Sequence, residues 1–131
     1  MKKSILLFLC VLGIGLSSCK KETIVPANRT ILVDINPNNW RTDNGYDYYN
    51  VITVGENNTN FNQNGTILVT MSFTDANTYV GLPVIFNNLD YSYTSSPGIV
   101  TIYARSISNA VVKPTTLVTA KITLIDAVGI Q

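Results

Sequence analysis

The chain has 131 residues, with nine basic and eight acidic side chains, a net charge of +1 and no histidine. This charge balance gives no basic footprint for nucleic acid. Without histidine there is no Ser-His-Asp or Cys-His catalytic machinery, and no zinc site built on imidazole. Both cysteines, Cys10 and Cys19, lie near the N-terminus, so the rest of the chain holds no thiol and no disulfide.

The N-terminus begins with Met1-Lys2-Lys3, which is followed by an apolar segment over residues 4–16. That segment is shorter than the roughly 20 apolar residues that cross a bilayer as a permanent helix. A basic start, a short apolar stretch and small residues at its end are typical of a secretory signal peptide. The alternative is a buried N-terminal helix, but no later segment has the helical periodicity to pack against it. We therefore predict a signal peptide over residues 1–18.

The residues Leu16-Ser17-Ser18-Cys19 end this segment. They resemble the lipobox of bacterial lipoproteins, in which an aliphatic residue and two small residues precede a cysteine. The resemblance implies cleavage before Cys19, lipidation of its sulfur and acylation of the new amine. Two or three acyl chains anchor a protein stably, whereas a single chain binds a membrane only marginally. The alternative is a secreted protein with a free thiol.

Removal of residues 1–18 leaves 113 residues with seven basic and eight acidic side chains, which is enough for one domain. Residues 20–29 are polar, contain Pro26 and show no hydrophobic period, as is typical of a flexible tether. We assign 19–29 to the lipidated cysteine and its tether, and 30–131 to the folded domain.

From residue 30 onward the hydrophobic pattern has a period of two. The predicted strands cover residues 30–35, 46–54, 66–73, 79–86, 91–93, 99–106 and 117–126. Turn residues such as Asn44-Gly45 and Pro97-Gly98 separate them, and Gly81 and Pro83 mark 79–86 as an edge strand or a bulge. About seven short strands with no helix after the signal peptide indicate an antiparallel sandwich or barrel. We predict an all-β domain, a single antiparallel β-sandwich of immunoglobulin-like or jelly-roll-like type.

The order of several short motifs also carries a resemblance. The motifs are Asn39-Trp40, the aromatic strand 48–54, residues 64–69, Leu82-Pro83, residues 98–100 and the terminal strand 121–125. In this order they resemble a family of small lipoproteins of Bacteroidetes. The resemblance implies fold and location, and it supplies no activity. Surface-exported lipoproteins of this group tend to have acidic residues after the cysteine, whereas Lys20-Lys21 stand here. We therefore expect the outer membrane, with the periplasmic face favoured over the cell surface.

Five residues beside two predicted turns are candidates for a binding surface: Trp40, Arg41, Tyr46, Tyr48 and Tyr49. Aromatic rings stack on the apolar faces of sugars, and neighbouring Asn and Asp side chains bind sugar hydroxyls, so this cluster favours a glycan site. The alternative is that Trp40 caps the open end of the sandwich while the tyrosines fill alternate faces with only their hydroxyls in water.

The Asn-rich loop over residues 56–65 is the second candidate site. Calcium takes about six to eight oxygen ligands, usually several of them carboxylates, and Glu56 is the only carboxylate of the loop. We therefore expect no metal or other cofactor, and calcium binding is the alternative. The favoured interpretation is a solvated loop in which Asn side chains form local turns and Phe61 contacts the core.

The sequence gives no sign of an enzyme. Nothing singles out two of the eight acidic residues as a catalytic pair, and a small domain offers little room for a deep cleft, so we expect no enzyme. The first hypothesis is a lipid-anchored envelope protein with a structural or protein-interaction role through an exposed edge strand. The alternative is a glycan-binding module that uses the region of Trp40 and Tyr49. Exposed rings would favour the glycan module, and buried rings would favour the interaction protein.

Overall fold

The computed structural model describes residues 28–108 and 112–126, which form two antiparallel β-sheets packed against each other around a common core. The prediction of an all-β sandwich is therefore confirmed. The signal peptide, Cys19 and most of the tether lie outside the described residues. In the described part of the chain, no helix has the length and apolar character needed to cross a membrane.

Nine strands occur in the described residues. They are β1 (Arg29–Ile35), β2 (Arg41–Thr42), β3 (Asp47–Thr53), β4 (Thr66–Ser72), β5 (Val80–Gly81), β6 (Val84–Phe86), β7 (Leu89–Ser96), β8 (Ile99–Ser106) and β9 (Val118–Ile125). Sheet A has the order β1-β9-β4-β5, and sheet B has the order β2-β3-β8-β7-β6. A short 3-10 turn, Pro37–Asn39, connects β1 to β2. The first and last strands of the chain are thus neighbours in one sheet.

The core lies between the sheets because side chains of a strand alternate between its two faces. The inward-facing residues of the four long central strands include Tyr48 and Ile52 in β3, Ile67, Val69 and Met71 in β4, Val100, Ile102 and Ala104 in β8, and Val118, Ala120, Ile122 and Leu124 in β9, all of them buried. The alternation predicted for these strands is confirmed. Each fully buried aliphatic side chain of this kind contributes about 1.5–3 kcal/mol to the stability of the fold.

The structure has more strands than the predicted seven or so. Residues 79–86 form two strands, β5 in sheet A and β6 in sheet B, and the chain crosses between the sheets at Leu82-Pro83. Proline has no N–H to donate to a ladder, so one continuous strand through Pro83 is disfavoured. The additional strand, β2, is only two residues long and pairs with the start of β3.

The expectation of no helix after the signal peptide is wrong. A short helix, α1 (Thr59–Asn64), occupies the middle of the Asn-rich loop. Asn58 caps it, because its Oδ1 accepts a hydrogen bond of 2.9 Å from the Phe61 N–H. At the other end the Gly65 N–H donates to the Phe61 carbonyl at 2.7 Å. The run of asparagines, from which we expected local side-chain turns, therefore contains a helix of six residues that Asn58 caps.

Two hairpin turns define the register of sheet B. Asn87 and Asn88, with φ of 50° and 62°, join β6 to β7 through a two-residue loop that needs positive φ at both positions. Pro97 and Gly98 join β7 to β8, and Gly98 has a φ of 84°. The predicted turn at Pro97-Gly98 is thus present, with glycine at the position that requires left-handed backbone.

Candidate functional site

Trp40 and Tyr48 lie in the core. Trp40 is 5% exposed and Tyr48 is 7% exposed. The Trp40 ring packs edge-to-face on Tyr91, with the ring centroids 6.1 Å apart. The Trp40 Nε1–H has no hydrogen-bond acceptor among the described residues. Neither ring is available for stacking on a ligand at the surface. Both rings instead serve the packing of the sandwich, which was the alternative to a glycan site.

Arg41, Tyr46 and Tyr49 remain at the surface. Tyr46 is 46% exposed and precedes β3. Arg41 lies opposite Tyr49 in the β2–β3 pair, and Tyr49 lies opposite Tyr103 in the β3–β8 pair. The residues next to Tyr49 and Tyr103 in their strands point into the core. Arg41, Tyr49 and Tyr103 therefore form a row on the outer face of sheet B.

The turn between β2 and β3 is held by its own side chains. Asn44 Oδ1 accepts hydrogen bonds from the Tyr46 N–H at 2.9 Å and the Asp47 N–H at 2.8 Å. Asn44 Nδ2 donates to Asp47 Oδ2 at 3.0 Å, and Thr42 Oγ1 accepts from the Gly45 N–H at 2.8 Å. Gly45 has a φ of 79°, which favours glycine there. This network orients the turn side chains beside Tyr49.

Tyr103 and Arg105 are not among the site residues predicted from the sequence, yet both lie beside Tyr49. In β8 both alternate with buried residues, and both face outward. Arg105 places its guanidinium carbon 4.6 Å from the centroid of the Tyr103 ring. The period of two put them on the wet face of their strand, but only the pairing of β8 with β3 brings them beside Tyr49. Asp43, Asn44, Asp47, Tyr48, Tyr49, Tyr103 and Arg105 line a shallow cavity of about 200 Å³ here.

The loop 56–65 serves structural contacts. Asn57 is fully buried, and its Nδ2 donates to the Ser96 carbonyl at 2.7 Å, which ties the loop to the β7–β8 turn. Glu56 forms an ion pair with Arg29 at 3.3 Å. Phe61 packs against the core, as expected from the sequence. Over residues 28–108 and 112–126, no group of three or more acidic, cysteine or histidine side chains is placed to hold a metal ion.

The backbone hydrogen bonds of sheet A show which N–H and C=O groups of β1 face β9. The Leu82 N–H donates to the Val69 carbonyl at 3.1 Å, so Val69 directs its backbone groups toward β5. In an antiparallel sheet, successive residues of a strand direct their backbone N–H and C=O groups to alternate sides. Two residues that lie opposite each other direct these groups either both toward each other or both away from each other. In β9 the even-numbered residues 118–124 therefore bond to β1. Their register partners in β1 include Ile31 and Val33.

Thr30, Leu32 and Asp34 consequently direct their N–H and C=O groups away from β9. No strand among the described residues pairs with this side of β1, and none of the described residues bonds to these six groups. The Leu32 side chain is 61% exposed on the outer face. The inward-facing Ile31 and Val33 are only partly buried, although both touch the core. β1 is thus an edge strand whose pairing groups and inner face are both incompletely covered.

The same flank exposes part of β3. The Val54 N–H donates to the Gly98 carbonyl at 2.8 Å, so by alternation Val51 and Thr53 point their backbone groups away from β8. The strand β2 pairs only with Tyr48 and Tyr49. The free edge of β3 and the free edge of β1 therefore lie on one flank of the sandwich, which we call the open flank.

Two depressions border β1 on the open flank. One, of about 430 Å³, is lined by Val33, Asp34, Asn38, Asn39, Arg41, Asn50, Val51 and Ile52. The other, of about 360 Å³, is lined by Arg29, Glu56, Asn58, Phe61, Leu124 and Asp126. Asn50 Nδ2 donates to the Asn39 carbonyl at 3.0 Å and holds the 3-10 turn against β3. The flank therefore combines free backbone groups with both apolar and amide side chains.

Two titratable groups have shifted pKa values. Burial raises the pKa of Tyr91 to about 12. A hydrogen bond from the Asn77 N–H, together with one from the Thr78 hydroxyl, lowers the pKa of Asp75. Asp75 organises the turn after β4, whereas Tyr91 lies in the core beside Trp40. Neither shifted group lines the open flank or the outer face of sheet B.

Comparison with protein-family models, with curated proteins and with solved structures finds no match to this chain.

Proposed function

We propose that the chain is a lipid-anchored protein of the bacterial cell envelope, and that its β-sandwich binds an extended segment of another envelope protein along β1. The lipobox-like Leu16-Ser17-Ser18-Cys19 supports the anchor. Lys20 and Lys21, which follow the cysteine, favour the periplasmic face of the outer membrane. The role is binding and not catalysis.

The free edge of β1 carries this proposal. Thr30, Leu32 and Asp34 offer three N–H donors and three C=O acceptors in a row, the arrangement to which an extended peptide adds as a further strand. In monomeric proteins the edge strands of a sheet are usually short, carry charged residues or are covered by another element, because an open edge pairs with other chains. Here the edge runs over a strand of seven residues.

The geometry also predicts the character of the partner segment. Its residues opposite Thr30, Leu32 and Asp34 would exchange backbone hydrogen bonds and point their side chains outward. Its residues opposite Ile31 and Val33 would point inward and cover these partly buried side chains. The segment therefore has apolar residues opposite Ile31 and Val33, whereas the depression beside Val33, which is lined mainly by polar side chains, suits a polar residue of the partner.

Site-specific photo-crosslinking in intact cells tests the binding surface. A photoreactive residue at Leu32 on the edge is compared with one at Leu68, which is 47% exposed on the same face but lies on an interior strand. We expect a defined crosslinked product of higher mass from position 32 and none from position 68. Equal crosslinking at both positions would contradict the proposal, and a product that contains only this chain would identify a second copy as the occupant instead.

A backbone variant separates strand addition from simple proximity. Thr30→Pro removes one outward N–H and leaves the bonds to β9 in place. Combined with the photoreactive residue at position 32, it should strongly reduce the product, whereas Thr30→Val should not. Retention of the product in the proline variant would show that the partner does not pair with β1.

The anchor has its own test. Cys19→Ala should move the protein from the membrane fraction to the soluble or unprocessed fraction, because the sulfur that carries the lipid is lost. Cys10→Ala is the matched control, since Cys10 lies inside the predicted signal peptide. An unchanged membrane fraction with normal cleavage in Cys19→Ala would overturn lipid anchoring and leave the strand-addition test unaffected.

A further inference from the structure

We infer that the outer face of sheet B carries a binding site for a neutral saccharide, centred on Tyr49 and Tyr103. The site consists of these two tyrosines with Asp43, Asn44, Asp47 and Arg105, which we call the tyrosine patch. It is separate from the free edge of β1, because it lies on a face of the sandwich and not on its flank. Arg41 lies beside Tyr49 and borders both surfaces.

The side chains of Tyr49 and Tyr103 are neighbours on the outer face of sheet B, and we call this pair the platform. Tyr49 and Tyr103 are direct partners in the β3–β8 register, a position in which Cβ atoms are about 5 Å apart. Both side chains are partly exposed. The C–H groups on one face of a pyranose ring are weakly apolar and stack on such rings, so two neighbouring tyrosines offer room for one or two sugar units.

Hydrogen-bonding groups surround the platform and have free capacity. Among the described residues, the Arg41 and Arg105 side chains form no hydrogen bond or ion pair with any carboxylate, although Arg105 lies between Asp47 and Asp90 in the sheet register. A guanidinium offers five N–H donors. Tyr49 Oη donates to Asp43 Oδ1 at 3.4 Å, a long bond that leaves the carboxylate with free acceptor capacity. Sugar hydroxyls both donate and accept, so they match this mixture of groups.

The charges around the patch favour a neutral ligand. Arg41 and Arg105 are balanced by Asp43 and Asp47, and Asp90 adds a further negative charge beside Arg105. A polyanion would meet three carboxylates at close range, and a polycation would meet two guanidinium groups. A ligand that forms hydrogen bonds without net charge avoids both repulsions.

The patch is organised before any ligand binds. Asn44 accepts two backbone hydrogen bonds and donates to Asp47 Oδ2 at 3.0 Å, which holds the turn and one carboxylate in place. Arg105 lies over one face of the Tyr103 ring, which holds its guanidinium beside the site and leaves stacking to Tyr49 and the other face of Tyr103. Because little ordering is required, the entropic cost of binding a flexible oligosaccharide falls mainly on the ligand.

Binding of neutral oligosaccharides to the full mature lipoprotein tests the inference. The probes are hexaoses of glucose with α-1,4 and with β-1,4 linkage, of mannose and of xylose, with oligogalacturonate as an acidic probe, in a detergent without a sugar head group. Backbone amide NMR shifts report the binding. We expect at least one neutral probe to bind at millimolar concentration and to shift the amides of Tyr49 and Tyr103.

Two tyrosine variants form a matched pair. Tyr103→Ala removes a ring beside Arg105, and Tyr79→Ala removes the ring that lies 3.7 Å from Lys121 Nζ. We expect Tyr103→Ala to weaken binding at least tenfold, Tyr103→Phe to retain most of it and Tyr79→Ala to leave it unchanged. Absence of binding by all neutral probes, binding by the acidic probe alone, or equal effects of both alanine variants would overturn the inference.

Discussion

The two flanks of the sandwich differ in sheet A, whose edge strands are β1 and β5, whereas sheet B ends in a short strand on both flanks. On one flank the edge strands β5 and β6 have only two and three residues, and the chain passes directly from one to the other. We call this the closed flank. On the open flank, β1 has a free edge along seven residues, and β2 covers only the start of β3.

The space between the two sheets is packed differently at the two flanks. At the closed flank Phe73 stacks on Phe86, with centroids 4.5 Å apart, and meets Tyr91 edge-to-face at 4.9 Å. At the open flank the corresponding space is a depression in which amide side chains lie beside partly covered aliphatic residues. The closed flank keeps a depression of about 160 Å³ beside Phe73 and Phe86, which is smaller than the one of about 430 Å³ on the open flank.

This difference bears on the proposal that β1 pairs with a partner strand. Short edge strands limit the addition of foreign strands, because they offer few backbone groups in a row. Both edges of the closed flank have this protection, and β1 does not. The length of β1 beside the short β2, β5 and β6 is what the proposed partner strand requires.

Phe73→Ala should lower the free energy of unfolding by about 3 kcal/mol, because it leaves a cavity beside Phe86 and Tyr91. Val33→Ala on the open flank should cost only about 1 kcal/mol, because it removes two methyl groups, whereas Phe73, which is likewise partly buried, loses a whole ring in contact with two others. Chemical denaturation followed by the fluorescence of Trp40, the single tryptophan, measures both values. A larger loss for Val33→Ala would mean that the open flank is as tightly packed as the closed one.

Proline substitutions along β1 should show a period of two. Val33→Pro should cost about 1–3 kcal/mol, because it removes a ladder bond to β9 and leaves its acceptor without a donor. Leu32→Pro should cost clearly less, since its N–H points to the free edge. The free energy of unfolding from the same denaturation assay gives both effects. Equal losses at the two positions would refute the assigned backbone directions.

The folded state should lose stability in alkali through Tyr91, which borders the closed flank. Burial raises the folded pKa of Tyr91 to about 12, above the ordinary value near 10. The stability that this shift provides is complete below pH 10, and it is lost as pH rises from about 10 to about 12. The total is on the order of 2 kcal/mol. Tyr91→Phe should remove this part of the pH dependence, and an unchanged dependence would show that Tyr91 is not the group responsible.

Arg29→Ala should have the smallest effect. The Arg29–Glu56 ion pair at the open flank is 3.3 Å long, but both side chains are largely exposed. Solvent screening limits such pairs to about 0.5 kcal/mol or less. A double-mutant cycle with Glu56→Gln measures the coupling free energy. A coupling above about 1 kcal/mol would show that this end of the open flank is held more firmly than its exposure suggests.

Much of the fold could be predicted from local sequence. The alternation of Ile67, Val69 and Met71 marked the buried face of β4, and Pro97-Gly98 marked a turn, because both signals depend only on neighbouring residues. The short helix α1 was missed, since its signal is a single capping residue, Asn58, within a run of asparagines. A cap of that kind is hard to distinguish from the side-chain turns that asparagine also forms.

The candidate sites depended on tertiary structure to a greater degree. The sequence alone determined which side chains share one face of a strand, because that follows from the geometry of a single extended backbone. It therefore placed Tyr49 opposite in direction to Tyr48, and Tyr103 on the same face as Arg105. Which strands become neighbours is decided by packing the two sheets and closing long loops, and this cannot be derived from periodicity.

Only the tertiary structure brought Tyr103 beside Tyr49 and turned Trp40 into the core. It likewise paired β1 with β9 from the far end of the chain, and so left the outward groups of Thr30, Leu32 and Asp34 without a partner strand among the described residues. Alternation specifies the two sides of each strand, whereas the order of strands decides which edge stays open.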